Sequence, residues 1–256
     1  MSRARLDYLD ALGIDVWLQR HARGDRREAV PATRKPAAPA VAAAPPAPPR
    51  PRAPQPPAAA APAGAPVDAL DWDALTARVA ACQSCELCQT RTQTVFGVGD
   101  RRARWMIVGE APGEEEDRRG EPFVGHAGQL LDAMLRAAGF KRGDVFIANV
   151  LKCRPPNNRD PHVGEAAQCM PYLLRQIKLV APDLIVAVGR VAAQRLLDTT
   201  EPLGKMRGQV HRLAATGDTP VVVTYHPAYL LRSPSQKRRA WEDLVFAHQV
   251  IRGDIA

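Results

Sequence analysis

Short apolar runs alternate along the chain with longer stretches whose apolar residues recur at helical spacing. The runs predict four β-strands, at residues 105–108, 145–150, 184–188 and 221–224. The intervening stretches predict helices at residues 128–138, 164–181 and 189–197. Pro171 falls inside the second stretch, where it either starts or kinks the helix. This alternation indicates an α/β fold in which helices cover both faces of a parallel sheet.

A glycine-rich loop follows the first predicted strand. The strand ends at Gly109, and the loop that follows contains Gly113, Gly120 and Gly125. In open α/β sheets, ligands bind at the carboxyl ends of the strands. The loop brings the carboxylate of Glu110 and the ring of Phe123 to that end, with little side-chain bulk between them. We therefore expect a ligand site here.

The N-terminal quarter of the chain differs in composition from the remainder. Residues 31–66 contain 13 Pro and 15 Ala among 36, so they cannot bury a core and favour extended polyproline II segments. We interpret residues 25–67 as a disordered, semi-rigid spacer. It separates a short segment, residues 1–24, from a folded domain at residues 68–256, which opens with a predicted helix at 68–80.

The segment before the spacer is amphipathic. Its apolar side chains line one side of a short helix broken at Gly13: Leu6, Leu9, Leu12 and Trp17. Such a helix either packs on the main domain or docks into a groove of a partner, and the long spacer favours docking. The segment resembles the N-terminal peptide of the small psi subunit of the bacterial replicase clamp loader. This resemblance implies a replication or repair protein as the partner of residues 1–24.

The formal net charge of +8 is unevenly distributed. Residues 1–66 hold 10 Lys and Arg against 5 Asp and Glu, whereas residues 67–256 hold 25 against 22. Any nucleic-acid contact therefore depends on clustered charge, such as the basic run at residues 237–239. No apolar run reaches the roughly 18 residues of a membrane helix, and the N-terminus lacks the apolar region of a signal peptide. We expect a cytoplasmic, nucleoid-associated monomer.

Five cysteines in such a chain suggest metal or redox chemistry. Cys82 and Cys85 form a Cys-x-x-Cys pair, and Cys153 and Cys169 follow singly. Four thiolates hold either a zinc ion or an iron–sulfur cluster, and the spacing does not decide between them. The alternative is a set of buried structural cysteines. We interpret the fifth, Cys88, as a bystander.

A bound metal would also explain the segment that separates the two single cysteines. This loop, residues 153–169, is rich in proline and has no apolar anchor of its own. Thiolate ligands at its two ends would pin it to the N-terminal edge of the domain. Lys152, Arg154 and Arg159 could then face a phosphate backbone.

Four motifs surround the ends of the predicted strands: Gly109-Glu-Ala-Pro-Gly113, Pro122-Phe-Val-Gly-His-Ala-Gly128, Asn149-Val-Leu-Lys-Cys-Arg-Pro155 and His226-Pro-Ala-Tyr-Leu-Leu-Arg232. Together with the cysteine spacing, they resemble the family-four uracil-DNA glycosylases, the iron–sulfur type of bacteria and archaea. The resemblance runs from about residue 71 to about residue 249. It implies a three-layer α/β/α domain around a four-stranded parallel sheet. It also implies a [4Fe-4S] cluster on Cys82, Cys85, Cys153 and Cys169.

The activity that the resemblance implies is the removal of uracil from DNA. The enzyme would hydrolyse the N-glycosidic bond of a flipped-out deoxyuridine and so start base excision repair. No lysine in the glycine-rich loop is placed as an imine-forming nucleophile. We therefore expect a monofunctional glycosylase that leaves the DNA strand uncut.

The resemblance also implies a role for three residues at the sheet edge. Phe123 would stack on the flipped uracil, unless it is an ordinary core residue. The amide of Asn149 would pair with O4 and N3–H of uracil and reject cytosine, unless it only caps a turn. His226 would donate a hydrogen bond to O2 of the departing base.

The first motif contains the carboxylate that would activate the attacking water. Glu110 would position water for attack at C1′ and stabilise the cationic sugar. Gly109 and Ala111 would let backbone N–H groups face the base. The acidic run that follows, residues 114–117, is interpreted as a solvated loop.

The last motif supplies the DNA contact. Leu230 and Leu231 would fill the gap left by the flipped base, and Arg232 would meet a phosphate. Ordinary loop packing is the alternative for both leucines.

Two other functions remain open from the sequence. One is a covalent uracil-DNA binder of the same superfamily, but the basic Lys-Arg-Arg-Ile-His loop of that branch is replaced here by Pro155-Pro-Asn-Asn-Arg-Asp-Pro161. The other is an iron–sulfur DNA-binding scaffold that tethers repair to replication through residues 1–24.

Overall fold

The computed structural model describes residues 65–255, which form an α/β domain around one sheet. The amphipathic segment at residues 1–24 and nearly all of the spacer at residues 25–67 lie outside the described residues. In the part of the chain that is described, no helix is both long and apolar enough to cross a membrane.

The sheet has six strands in the order β1-β3-β2-β4-β6-β5. They are β1 Val98–Gly99, β2 Trp105–Gly109, β3 Phe146–Asn149, β4 Leu184–Val188, β5 His211–Leu213 and β6 Thr219–Thr224. The four inner strands run parallel and correspond to the four predicted strands. A purely parallel four-stranded sheet is not confirmed, because short antiparallel strands β1 and β5 extend the sheet at its edges.

The α-helices of the described residues pack on both faces of this sheet. They are α1 Trp72–Ala80, α2 Leu87–Thr90, α3 Glu114–Arg119, α4 His126–Ala137, α5 Val163–Val180, α6 Arg190–Leu196, α7 Leu203–Met206, α8 Pro227–Arg232 and α9 Lys237–Arg252. The helix predicted from residue 68 begins later, because Asp71 caps it by accepting a hydrogen bond from the N–H of Ala74 at 2.8 Å. Pro171 lies inside α5 rather than at its start.

The two faces of the sheet bury separate hydrophobic cores. Along β2, Met106 and Val108 join the core that includes α5, while Trp105 and Ile107 join the core that includes α4 and α9. This alternation follows from the two-residue period of a strand. All five residues of β2 are buried, as expected for a parallel strand covered on both sides.

The acidic run at residues 114–117 does not form the predicted solvated loop. It opens helix α3, and Asp117 is buried. The carboxylate of Asp117 accepts hydrogen bonds from the backbone N–H of Thr92 at 3.0 Å. The side chains of Glu114 and Glu115 remain exposed, as predicted. The prediction was wrong for Glu116 and Asp117, because backbone donors from other loops turn their carboxylates inward and a local charge pattern does not reveal such donors.

Candidate active site

The ends of three inner strands meet on one edge of the sheet. Gly109 at the end of β2 pairs in register with Asn149 at the end of β3. The two chains stay paired beyond this point, since the N–H of Leu151 donates to the carbonyl of Glu110 at 3.0 Å. His226 follows β6 by two residues and precedes α8. The sheet therefore brings an amide, a carboxylate and an imidazole to one edge.

Asn149 is 2 % exposed, and its Oδ1 is buried with no hydrogen-bond partner. Buried polar atoms are nearly always paired, so an unpaired one at a cleft calls for a ligand. Gly109 creates the necessary space. A Cβ at this position would lie 2.3 Å from Oδ1 of Asn149 and 2.6 Å from Cζ of Phe123. The amide and the ring thus share the space beside this glycine.

Phe123 has a backbone φ of 53°, which is unusual for a residue with a side chain. Two features hold it there. A Cβ at Gly128 would lie 1.8 Å from the carbonyl oxygen of Phe123, so the first turn of α4 can approach only because this residue is glycine. The carboxylate of Glu116 accepts hydrogen bonds from the N–H groups of Val124 at 2.9 Å and Gly125 at 3.1 Å. The loop is therefore fixed from both sides.

The imidazole of His226 lies 5.6 Å from the ring of Phe123, centroid to centroid, at a tilt of 31°. Its Nδ1 accepts a hydrogen bond from the N–H of Ala228 at 3.1 Å. Burial, aided by the Arg232 cation and opposed by Glu116, lowers the pKa of His226 to about 4. The ring is therefore neutral at pH 7, and its single proton is on Nε2, where it can be donated to a ligand.

Glu110 is half-buried beside these residues. Burial and, to a smaller extent, the carboxylate of Asp160 raise its pKa to about 7, against the opposing effect of the Arg190 cation. Arg190 also donates a hydrogen bond to Asp160 at 2.8 Å. A carboxyl group that is partly ionised near neutral pH is suited to general-base chemistry.

One open cavity of about 450 Å³ contains these groups. Of the predicted site residues, it is lined by Glu110, Ala111, Phe123, Asn149, His226 and Arg232. Gly109 lies beneath it, against Asn149 and Phe123. Sequence reasoning missed Glu116 and Asp160, which also line the cavity. The sequence shows that both residues are acidic, but it does not show that their side chains point toward the cavity.

The structure separates the two residues of the predicted DNA wedge. Leu230 is 0 % exposed and belongs to the core between the sheet and α4. Its expected insertion into DNA is therefore not supported, because the side chain would have to leave a packed core. Leu231 is 44 % exposed, and its neighbour Tyr229 is also exposed. In the basic run at residues 237–239, Lys237 is buried.

A second, much smaller cavity is lined by all five cysteines, including Cys88. Three polar groups donate hydrogen bonds to its sulfur atoms: Arg91 to Cys153 at 3.0 Å, the N–H of Lys152 to Cys169 at 3.2 Å, and the hydroxyl of Tyr172 to Cys82 at 3.3 Å. Among the described residues, no three His, Cys, Asp or Glu side chains are grouped to hold a single metal ion. The thiols of residues 82–88 and those of Cys153 and Cys169 face one another across this cavity, and thiolates so placed are ligands for a metal ion or an iron–sulfur group.

Fold and site together define a class of protein: an α/β domain with an open polar cleft at the carboxyl ends of its strands. Residues 96–245 match the model of the uracil DNA glycosylase superfamily, and the chain belongs to that superfamily. The type-4 uracil-DNA glycosylase of Archaeoglobus fulgidus is 43 % identical over 175 residues, 66 % of this chain and 87 % of the relative. That of Thermotoga maritima is 44 % identical over 183 residues, 70 % of this chain and 94 % of the relative. The resemblance to the family-four enzymes is confirmed.

Proposed function

We propose that this chain is a monofunctional uracil-DNA glycosylase that hydrolyses the N-glycosidic bond of a flipped-out deoxyuridine in DNA. One observation carries the proposal: the buried, unpaired Oδ1 of Asn149 faces the same cavity as the rings of Phe123 and His226. Membership of the superfamily and the similarity to type-4 uracil-DNA glycosylases support it.

Recognition of uracil rests on Asn149. Its Oδ1 accepts a hydrogen bond from N3–H of the base, and its amide N–H donates to O4. Cytosine has the reverse pattern at these two positions and would leave the buried amide unpaired. Rejections of this kind reach on the order of 10⁴ in specificity. Phe123 provides the surface on which the flipped base stacks, with backbone N–H groups near Gly109 and Ala111 facing the base.

Departure of the base rests on His226. When the bond between C1′ and N1 breaks, its electron pair moves onto the uracil ring, and much of the charge reaches O2. The neutral imidazole donates its Nε2 hydrogen to O2 and stabilises the developing anion. Removal of one such donor typically costs ~3–4 kcal/mol of transition-state stabilisation.

The attack of water rests on Glu110. In its ionised form this carboxylate accepts a proton as the water oxygen bonds to C1′, and it also stabilises the positive charge of the sugar. The products are free uracil and an abasic sugar in an uncut strand. The pKa of Glu110, raised to about 7, keeps an ionised fraction available at neutral pH.

Contact with the DNA rests on α8. Tyr229 and Leu231 are the exposed large apolar residues of α8, and Tyr229 also lines the cavity; we assign the wedge to these two residues instead of Leu230. Arg232 lines the cavity and would meet a phosphate.

The cysteine cavity is proposed to hold a [4Fe-4S] cluster on Cys82, Cys85, Cys153 and Cys169. The four thiols and the donors to their sulfur atoms fit such a group. When bound, the cluster would supply a covalent brace between residues 82–85, Cys153 and Cys169 on α5; the sequence prediction of a loop over residues 153–169 was wrong from Val163 onward, where α5 begins. Cys88 lines the same cavity but is proposed to remain outside the ligand set.

The decisive experiment is the incubation of purified, cluster-loaded protein with an oligonucleotide that contains one uracil. We expect alkali-labile abasic sites and free uracil. Asn149→Ala and His226→Ala should each reduce the single-turnover rate by about 10²–10³. Intact substrate after prolonged incubation would overturn the proposal. A complex that survives boiling in detergent would instead favour the covalent binder.

We further propose that residues 1–24 dock onto a replication or repair protein, that residues 25–67 act as the spacer, and that the enzyme is a monomer associated with the nucleoid. The support is the amphipathic pattern of the segment and the composition of the spacer. A peptide of residues 1–24 should retain such a protein in a pull-down. Failure to retain any would remove this part of the proposal.

A further inference from the structure

Lys152 was predicted to face a phosphate backbone, and that prediction was wrong: it is a fully buried lysine between the two sites. It is 1 % exposed, and its Nζ donates hydrogen bonds to the backbone carbonyl of Asn149 at 2.8 Å and to Oε1 of Gln176 at 2.6 Å. Burying a lysine side chain is costly unless its donors are satisfied. The two hydrogen bonds therefore offset the cost of burying the ammonium group. One of the two acceptors is the carbonyl of Asn149, whose side chain faces the candidate base site.

The backbone of Lys152 reaches the other site. Its N–H donates to Sγ of Cys169 at 3.2 Å, and the next residue in the chain is Cys153. One residue thus contacts a cysteine sulfur through its main chain and the carbonyl of Asn149 through its side chain. The five residues 149–153 connect the cysteine cavity to the cleft by the shortest covalent route.

Gln176 fixes the far end of this contact. It is completely buried on α5, the helix that also carries Cys169. Its Nε2 donates to the carbonyl of Phe96 at 2.9 Å, so its Oε1 is held toward Nζ of Lys152. The ammonium group is therefore held between a fixed acceptor on α5 and the carboxyl end of β3.

We propose that Lys152 is a positioning residue: it fixes the end of β3 so that the amide of Asn149 stays directed into the cleft, and it ties that orientation to the cysteine cavity. The proposal rests on the function proposed above, since it assigns base recognition to Asn149. Lys152 touches no base itself and acts through Asn149. Because its backbone also contacts Cys169, loss of order around the cysteines should loosen the same amide.

A double-mutant cycle tests whether Lys152 acts through Asn149. Lys152→Met keeps most of the volume and removes both hydrogen bonds. In the otherwise unchanged enzyme, it should lower kcat/KM for a uracil oligonucleotide by about ten- to a hundredfold. In the Asn149→Ala background, the same change should cost no more than about twofold, because the amide it positions is gone. Equal losses in both backgrounds would overturn the proposal, since a general structural defect is additive.

A second readout does not depend on catalysis. Hydrogen exchange of the backbone amides at residues 147–150 should become about tenfold or more faster in Lys152→Met, while exchange in β4 stays unchanged. Uniform acceleration, or none, would contradict the proposal. If the unmodified protein releases no uracil, the proposed function fails, yet this measurement still decides whether Lys152 holds the end of β3.

A milder variant covers the case in which Lys152→Met does not fold. Gln176→Met removes one of the two acceptors and leaves the bond to Asn149 in place. It should produce a smaller loss of kcat/KM that again disappears in the Asn149→Ala background. Visible absorption of each variant reports whether the cysteine cavity keeps its group. A loss that persists in the Asn149→Ala background would count against the proposal.

Discussion

Two ionisable residues in the cleft have pKa values shifted in opposite directions, and each shift suits the assigned role. Glu110 should be ionised to act as a base, and its pKa is raised to about 7. His226 should be neutral to donate from Nε2, and its pKa is lowered to about 4. The single-turnover rate should therefore fall about tenfold per pH unit below about pH 7 and level off above it. Glu110→Gln should be slower and lack this dependence.

The same shift predicts a pH-dependent stability. The folded state binds the proton of Glu110 more tightly than the unfolded chain does, because the pKa of this carboxyl in the unfolded chain is near the ordinary 4.5. Stability from this group is complete below the unfolded pKa and is lost as the pH rises through about 7. Replacing Glu110 by Gln should thus raise Tm at pH 8 and leave it nearly unchanged at pH 4.

The catalytic prediction is contradicted by a different result. If the single-turnover rate of Glu110→Gln still falls below about pH 7, another residue is the general base.

Gly109 makes a testable steric contribution. A methyl group there would overlap Oδ1 of Asn149 and the ring of Phe123. Gly109→Ala should therefore lower kcat/KM by about a hundredfold or more, because a small misplacement of these groups is expensive. Gly164→Ala is the matched control, since a Cβ at that position in α5 meets nothing within 4 Å. If both variants keep full activity, the cleft is not where the base binds.

At the scale of elements, short helix α3 organises the loop that carries Phe123. Glu116 in this helix accepts hydrogen bonds from Gly113, Val124 and Gly125. Glu116→Gln should weaken these bonds, release the left-handed conformation of Phe123 and lower kcat/KM by about tenfold to a hundredfold. Glu115→Gln, one residue earlier, removes only exposed pairs with Arg118 and Arg119 and should have little effect. Similar kinetics for the two variants would remove Glu116 from the site.

The elements that the sequence predicted well are those with a strong local signal. The inner strands are continuous apolar runs because helices cover both faces, and the predicted bounds agree closely with the structure. The edge strands β1 and β5 lack that signal, since they are two and three residues long and contain Gly99, His211 and Arg212. Sequence pattern cannot reveal them, because antiparallel pairing with an inner strand defines them.

In the candidate site, too, the residues with a local sequence signal could be predicted and the others could not. Phe123, Asn149 and His226 could be predicted because each belongs to a motif beside the end of a strand. The burial of Leu230 and the inward direction of Glu116 could not, because both depend on contacts with segments far away in the chain. Residue type and position along a strand are local properties, whereas the direction of a polar side chain in a loop is a tertiary property.

At the scale of the whole molecule, the cysteine cavity should behave as one structural unit. Cys153→Ser removes a buried thiol that receives a hydrogen bond from Arg91. We expect loss of visible absorption and a lower Tm, since the segment from Cys153 to α5 loses its brace. Cys88→Ser tests the fifth thiol on the same cavity, and this variant should keep the visible absorption and the Tm of the unmodified protein. If Cys88→Ser loses the absorption and Cys153→Ser keeps it, the proposed ligand set is wrong.

The folded domain and the N-terminal segment are proposed to have separate functions, excision and docking. Matches to the type-4 relatives cover 66–70 % of this chain but 87–94 % of the relatives. Every residue that lines the cleft or the cysteine cavity lies within residues 79–232. A chain that starts at residue 65 should therefore excise uracil with kcat/KM within about twofold of the full chain, because no side chain of the site is removed. Full-length protein should differ only in retention on a replication or repair partner. A large loss of excision on removing residues 1–64 would show that the N-terminal segment serves the domain itself, and the docking proposal would have to be abandoned.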